Sequence, residues 1–211
     1  MKINKEILIL TPCYSPNTGG VETHLIDYVN SLIKREIKFT LLTLSPLTTK
    51  NVKYKKIELL KNDSKIIRFG FFSSNLYHLS EKFPILNFFY IVPYFFIRSF
   101  LYLFLKNKNI IIHSHGFNCG FTGSILKKIY NLKHIFSTHS VYEIKNNNFY
   151  SLYIKFILNN CDNILCVSKK SKNQIESFIS KKKLRKIQTY TYWTDLNNFI
   201  SKNINKKYDF L

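Results

Sequence analysis

The chain has 211 residues, 45% of them hydrophobic, with 32 Lys and Arg against 12 Asp and Glu for a formal net charge of +20. That length supports one full core and excludes two substantial domains. Its four cysteines, Cys13, Cys119, Cys161 and Cys166, form no C-x-x-C pair and no His/Cys cluster at zinc spacing, which argues against a metal site and a disulfide framework and for a reducing cytoplasm.

Lys2 and Lys5 lead directly into an apolar run, then Pro and Gly, without the h-region and cleavage site of a signal peptide, so secretion is not expected. Residues 7–10 read as a buried strand; Pro12 and Pro16 then forbid regular structure. An amphipathic helix over 21–34 follows, with Val21, Leu25, Tyr28, Val29 and Leu32 on one face. At its mouth stand Gly19 and Gly20. Paired glycines there let the backbone approach a ligand, and the unpaired N–H groups and dipole favour a phosphate or carboxylate, although the same pair also suits an ordinary tight turn.

Residues 37–44 form a second strand, rich in β-branched and large apolar residues, and 45–53 a polar loop. Residues 54–60 and 65–69 suit short strands joined by an Asn62-Asp63-Ser64 turn. Later strands fall at 109–113, 134–138, 163–167 and 185–190, separated by helical patterns at 121–130, 149–159 and 169–178. This alternation predicts an α/β fold with a mainly parallel, doubly wound sheet and right-handed crossovers.

Residues 83–105, FPILNFFYIVPYFFIRSFLYLFL, are apolar on nearly every face and about as long as a membrane span. Asn87, Pro93 and Arg98 oppose a span, since a charged residue near its centre costs at least ~2.5 kcal/mol. The soluble readings are a helix buried against the sheet, and a helix broken near Pro93 that offers Phe and Tyr to a bilayer. The charge of +20 suits an anionic membrane surface or phosphorylated ligands, or reflects only a Lys- and Asn-rich composition. No helix-turn-helix pattern, RNP motif or zinc finger supports nucleic acid as a partner.

Four segments, PNTGGVETHLIDYVNSLIKREIKFTLLT, IIIHSHGFNCG, CDNILCVSKKSKNQI and YWTDLNNF, resemble in order and spacing the family 4 glycosyltransferases, retaining enzymes of GT-B architecture. The resemblance implies a Rossmann-like amino-terminal GT-B domain over 1–199. It implies transfer of a sugar from a nucleotide-sugar donor to a carbohydrate or lipid-linked acceptor, without a cofactor or required metal. The family's Glu-x7-Glu motif is not seen, and residues 200–211, ending KNINKKYDFL, resemble the linker and first strand of the donor-binding domain. The expectation is therefore an acceptor-side half, inactive alone and completed by a donor-binding partner chain or domain, cytoplasmic and peripheral on the inner face of the membrane. The other reading is a truncated, non-catalytic module or membrane-associated scaffold that keeps the fold.

Ligands of open α/β sheets bind outside the carboxyl ends of the strands. Gly19 and Gly20 follow the first strand and Gly116, Gly120 and Gly123 the strand ending at His113, so five of the six glycines are expected in two strand-end loops. His115 matches the second histidine of the family's His-x-His-Gly pattern, which implies a catalytic position beside the transferred sugar, with Gly116 next to it as a substrate-binding residue. His139 corresponds to the family's Thr-His pair and reads either as lining the acceptor cleft or as holding its loop. Glu22, in the first turn of the first helix, suits the dipole and equally suits acceptor hydroxyls. Ser168 reads as a helix N-cap. Asp195 takes the position of the Asp in an Asn-Gly-Val-Asp segment, with Trp193 in place of the usual glycine.

Overall fold

The computed structural model describes residues 5–49, 51–71, 77, 80, 82–106, 109–139 and 149–191. Trp193, Asp195 and the expected linker over 200–211 lie outside the described residues. Apolar runs form the strands: β1 (Glu6–Leu10), β2 (Phe39–Leu44), β3 (Ile57–Leu59), β4 (Lys65–Phe69), β5 (Ile110–His115), β6 (Lys133–Thr138), β7 (Asn163–Cys166) and β8 (Ile187–Thr189). They join one sheet in the order β3-β4-β2-β1-β5-β6-β7-β8. Every pairing is parallel except β3 with β4, a hairpin whose turn places Asn62 and Asp63 at positive φ, a conformation that short polar side chains tolerate.

The helices are α1 (Gly20–Lys34), α2 (Pro84–Phe104), α3 (Phe117–Tyr130), α4 (Phe149–Asn160) and α5 (Lys169–Glu176), with a 3-10 helix over Lys181–Lys186. Strand alternation sorts the core into layers. Ile9, Phe39, Leu41 and Ile66 pack with Leu25, Val29 and Leu32 of α1 on one face. On the opposite face Leu8, Leu10, Ile110 and Ile112 pack with Ile91, Phe95 and Leu103 of α2 and Leu126 of α3. Farther along, Phe136 and Ile164 pack with Ile154 and Ile157 of α4 and Ile175 of α5. Complete burial of a side chain such as Phe95 contributes about 1.5–3 kcal/mol.

The 83–105 segment combines parts of its soluble readings. It is one helix, α2, that continues unbroken through Pro93. Ile91, Phe95, Ser99 and Leu103, four residues apart, are buried, while Phe89, Ile97, Leu101 and Phe104 are exposed. A continuous apolar run therefore serves two faces of one helix, which is why no helical period is visible in it.

Two expectations are corrected. Gly120 and Gly123 do not belong to a strand-end loop: β5 runs to His115 and α3 begins at Phe117, so both glycines sit inside the helix. They are there because α3 lies close on β6. A Cβ at Gly120 would meet the buried Phe136 ring at 2.8 Å, and one at Gly123 would meet His134 Nε2 at 2.5 Å. The strand expected over 185–190 is only Ile187–Thr189, because Lys181–Lys186 winds as the 3-10 helix. Asp162 fastens this layer: its carboxylate accepts the His134 backbone N–H at 2.8 Å and pairs with Lys127 at 2.8 Å. Ser168 caps α5 as expected, accepting the Ser171 N–H at 3.1 Å.

Gly120→Ala should therefore lower stability by ~1–2 kcal/mol in urea unfolding, because overpacking a tight core contact outweighs the ~1 kcal/mol gain in helix propensity. Gly70, with nothing within 4 Å of its Cβ position, is the control and should stay within about 0.5 kcal/mol of the parent when changed to Ala. Equal effects of the two substitutions would contradict the close packing of α3 on β6.

Candidate functional site

From β1 the chain builds outward through β2 and β4, then returns to β1's other side with β5. The topological switch point thus lies between β1 and β5, where the diverging crossovers leave a crevice at the carboxyl ends of the strands. Register places Leu10 beside Ser114, so the loop after β1 and the end of β5 emerge together.

The loop from β1 to α1 is fixed by side chains. Asn17, buried, accepts the Leu47 and Thr48 backbone N–H groups and the Thr48 hydroxyl through Oδ1 at 2.9–3.0 Å, and donates to the Tyr14 carbonyl at 3.0 Å. From β4, Arg68 Nε and Nη2 donate to the Ser15 carbonyl at 3.1 and 2.9 Å, while Nη1 donates to the Lys55 carbonyl and to Glu58 at 3.0 Å. A loop rich in Pro and Gly is thereby held at both its middle and its base. It delivers Gly19 as the N-cap of α1, without a side-chain cap, and Gly20 as the first helical residue. Glu22 falls at N3, where a carboxylate can fold back toward the cap. It does so closely: a Cβ at Gly19 would overlap the Glu22 carboxylate, which would have to swing away to admit a side chain there.

Period-two alternation turns His113, His115 and Ser137 toward α1, where Tyr28 meets them. Tyr28 Oη and His113 Nδ1 are hydrogen-bonded at 3.0 Å, and His113 Nε2 and Ser137 Oγ at 2.8 Å. His115 Nδ1 and His139 Nε2 share a hydrogen bond of 2.9 Å, with rings nearly parallel and centroids 5.0 Å apart. From the first turn of α1, His24 brings its ring within 6.0 Å of His139 and 5.7 Å of Tyr190. Gly116 has φ +77°, a left-handed value that favours glycine, and its N–H donates to the Ser137 carbonyl at 3.1 Å. Gly19, Gly20, Glu22, His115, Gly116 and His139 therefore lie at one end of the sheet.

Burial, reinforced by the neighbouring imidazoles, holds His115 well below the ordinary histidine range and lowers His139 to about 3. Both rings are neutral at pH 7. One proton lies between His115 Nδ1 and His139 Nε2, so the donor in that bond fixes the state of His115 Nε2: a lone pair if His115 donates, an N–H if it accepts. That Nε2 is buried without a partner among the described residues. His139 thus contacts His115 directly. His134 faces the other way, bonded to Ser114 Oγ at 2.7 Å, and takes no part. Among the described residues no group of three or more His, Cys, Asp or Glu is arranged to hold a metal ion.

Sequence reasoning did not assign His24, Tyr28, His113 or Ser137 to this cluster. The signals were a His-Tyr pair four apart beside the apolar face of the first helix, and His-Ser-His in a strand, which puts both imidazoles on one face.

The sequence model of Glycosyltransferase Family 4 matches residues 18–189. Among solved structures, sucrose-phosphate synthase from Thermosynechococcus elongatus aligns with TM-score 0.66 at 15% identity over 92% of this chain and 49% of its own. The catalytic domain of starch synthase IV from Arabidopsis thaliana, bound to ADP and acarbose, aligns with TM-score 0.67 at 11% identity over 92% and 53%. HepE from Anabaena in complex with UDP-glucose aligns with TM-score 0.58 at 14% identity over 92% and 45%. The chain spans about half the length of these structures. No curated protein matches it.

The buried imidazoles set a direction for acid sensitivity. Desolvation lowers His113 and His134 to about 3, from an ordinary value of 6.5. Below pH 6.5 the unfolded chain takes up protons that the folded chain refuses, so this stability is fully present above pH 6.5 and is lost progressively toward pH 3. Each group should remove about 2 kcal/mol between pH 7 and pH 5, read from urea unfolding at the two pH values. An unchanged unfolding free energy would show that the two imidazoles are solvated.

Proposed function

We propose, on the premise that this chain belongs to glycosyltransferase family 4, that it is the acceptor-side half of a GT-B enzyme. The enzyme moves a sugar from a nucleotide-sugar to a carbohydrate or lipid-linked acceptor with retention of configuration. The observation that carries this reading is the buried, unpartnered Nε2 of His115 at the switch point. An unpaired buried polar group costs about 1–3 kcal/mol, a cost that a ligand hydroxyl would relieve on binding. Family membership and the fold of nucleotide-sugar enzymes supply the reaction class.

In glycosyl transfer the bond from the anomeric carbon to the diphosphate oxygen breaks as the bond to the acceptor oxygen forms; positive charge develops on the sugar ring in the transition state, and the departing diphosphate, which takes the negative charge, accepts the acceptor hydroxyl's proton. His115, kept neutral, adds no cation beside the developing positive charge and offers one polar atom to a hydroxyl of the transferred sugar. His139 positions it by holding Nδ1. Gly19 and Gly20 allow an acceptor to approach the backbone closely. Glu22, folded against Gly19, accepts from acceptor hydroxyls at the same edge. In this reading a donor-binding unit, whether a further domain or a partner chain, closes over the site and balances the diphosphate charge. Residues 1–211 alone then transfer no sugar, because holding donor and acceptor together is worth roughly 7–11 kcal/mol of the barrier.

The test is sugar transfer by the chain alone, by the chain completed with its donor-binding unit, and by the completed His115→Ala variant. The completed enzyme should be active and the chain alone inactive. His115→Ala should lower kcat by about 10²–10³, as removal of one preorganised transition-state contact does, with a much smaller change in stability. Transfer by the chain alone would overturn the acceptor-half reading, and an unimpaired variant would remove His115 from the site.

A further inference from the structure

The outer surface of the α2, α3 and α4 layer differs in chemistry from the rest of the chain. No Asp or Glu occurs from residue 82 to residue 142, a stretch with seven Lys or Arg, and α4 adds Lys155 but no acid. The described carboxylates lie on or beside β1, α1, the β3–β4 hairpin, the turn before β7 and α5. On this layer, whose three helices carry no Asp or Glu and whose Lys127 is paired with Asp162, the outward stripe of α2 is apolar along its whole length. Phe89 is 62% exposed, Ile97 54%, Leu101 51% and Phe104 70%, at the three- and four-residue spacing of one helix face. At 21 residues the helix presents a ridge of about 31 Å. Exposed Ile129 of α3 and Leu152 of α4 extend the apolar character across the layer.

Cations rim this ridge. Arg98 is exposed, with its guanidinium 4.8 Å from the Phe69 ring, and Lys106 stands past the end of α2, 5.7 Å from Tyr102. On the next helices Lys128 lies 5.0 Å from the Phe156 ring. In each case the charged head itself lies near an aromatic ring, so cation and apolar surface are interleaved.

We infer that the α2 ridge, with the adjoining faces of α3 and α4, docks this protein peripherally on a bilayer containing anionic phospholipid. Charge decides the occupant. A second copy joined through the same surface would set like charges against each other in a two-fold contact. A flat anionic surface instead attracts every cation on the rim, while the convex apolar ridge enters the acyl boundary. The length and hydropathy of α2 also meet the requirement for a membrane span. The structure uses it otherwise: Ile91, Phe95, Ser99 and Leu103 of the same helix are in the core, and withdrawing them would strip Leu8, Leu10 and Ile112 of cover.

The test is co-sedimentation of the chain with vesicles of phosphatidylcholine containing one-third phosphatidylglycerol, and with pure phosphatidylcholine, at low and high salt. No nucleotide-sugar donor is present, so the result is independent of the transfer reaction. Binding to anionic vesicles should exceed binding to neutral ones at least tenfold and fall at least tenfold at high salt, where screening shortens the Debye length. The triple variant Phe89→Ser, Ile97→Ser, Leu101→Ser, with circular dichroism matching the parent because all three side chains are exposed, should also lose at least tenfold. Equal binding to both vesicles, no binding, or full binding by the folded triple variant would overturn the inference. Resistance to high salt and alkaline carbonate would replace it with a transmembrane α2. Self-association abolished by the variant without vesicle binding would replace it with a dimer interface.

Discussion

The parallel pairing of β1 with β5 is the constraint on which the rest of the molecule depends. The chain leaves β1 in one direction and returns on its other side, so a crevice opens at the carboxyl ends of these two strands. The loop that leaves β1 could collapse into that crevice. Asn17 and Arg68 prevent it by tying the loop to the segment after β2 and to β4 through five hydrogen bonds. These are buried or nearly buried polar groups, so losing a partner would cost more than making the bond gains. The Gly19-Gly20 turn is thereby presented on a fixed base.

The second consequence is electrostatic. His113 and His115 alternate to one face of β5, and β6 adds Ser137 and, just past its end, His139, so several polar rings meet under α1 in a place that excludes water. Such a cluster is compatible with a packed core only when its members are neutral and bonded to one another, and the depressed histidine pKa values follow from that burial. The one proton between His115 and His139 ties the state of the buried His115 Nε2 to a second residue. Deleting His139 would therefore alter His115 even if His139 touched no substrate.

Much of this was legible in the sequence, and the failures have physical causes. Short apolar runs, the Asn62-Asp63-Ser64 turn and the Ser168 cap are local signals and appear where expected. Gly120 and Gly123 suggested a loop because glycine is a poor helix former. Their use is tertiary, since only small residues let α3 lie against Phe136 and His134. In α2 a core face and an outward face of equal hydrophobicity cancel each other's period. His113 was read as a strand end, while its hydrogen bonds depend on Tyr28, 85 residues earlier, and Ser137, 24 later, a relation that no local pattern records.

The central claim is that His115 Nε2 faces the transferred sugar. The most direct measurement is a structure of the complete enzyme with an intact, non-transferable nucleotide-sugar bound. The account predicts a hydroxyl of that sugar within hydrogen-bond reach of His115 Nε2, about 2.6–3.2 Å, with His139 still on Nδ1. A sugar held away from the carboxyl ends of β1 and β5, with Nε2 paired instead to a protein group, would contradict it.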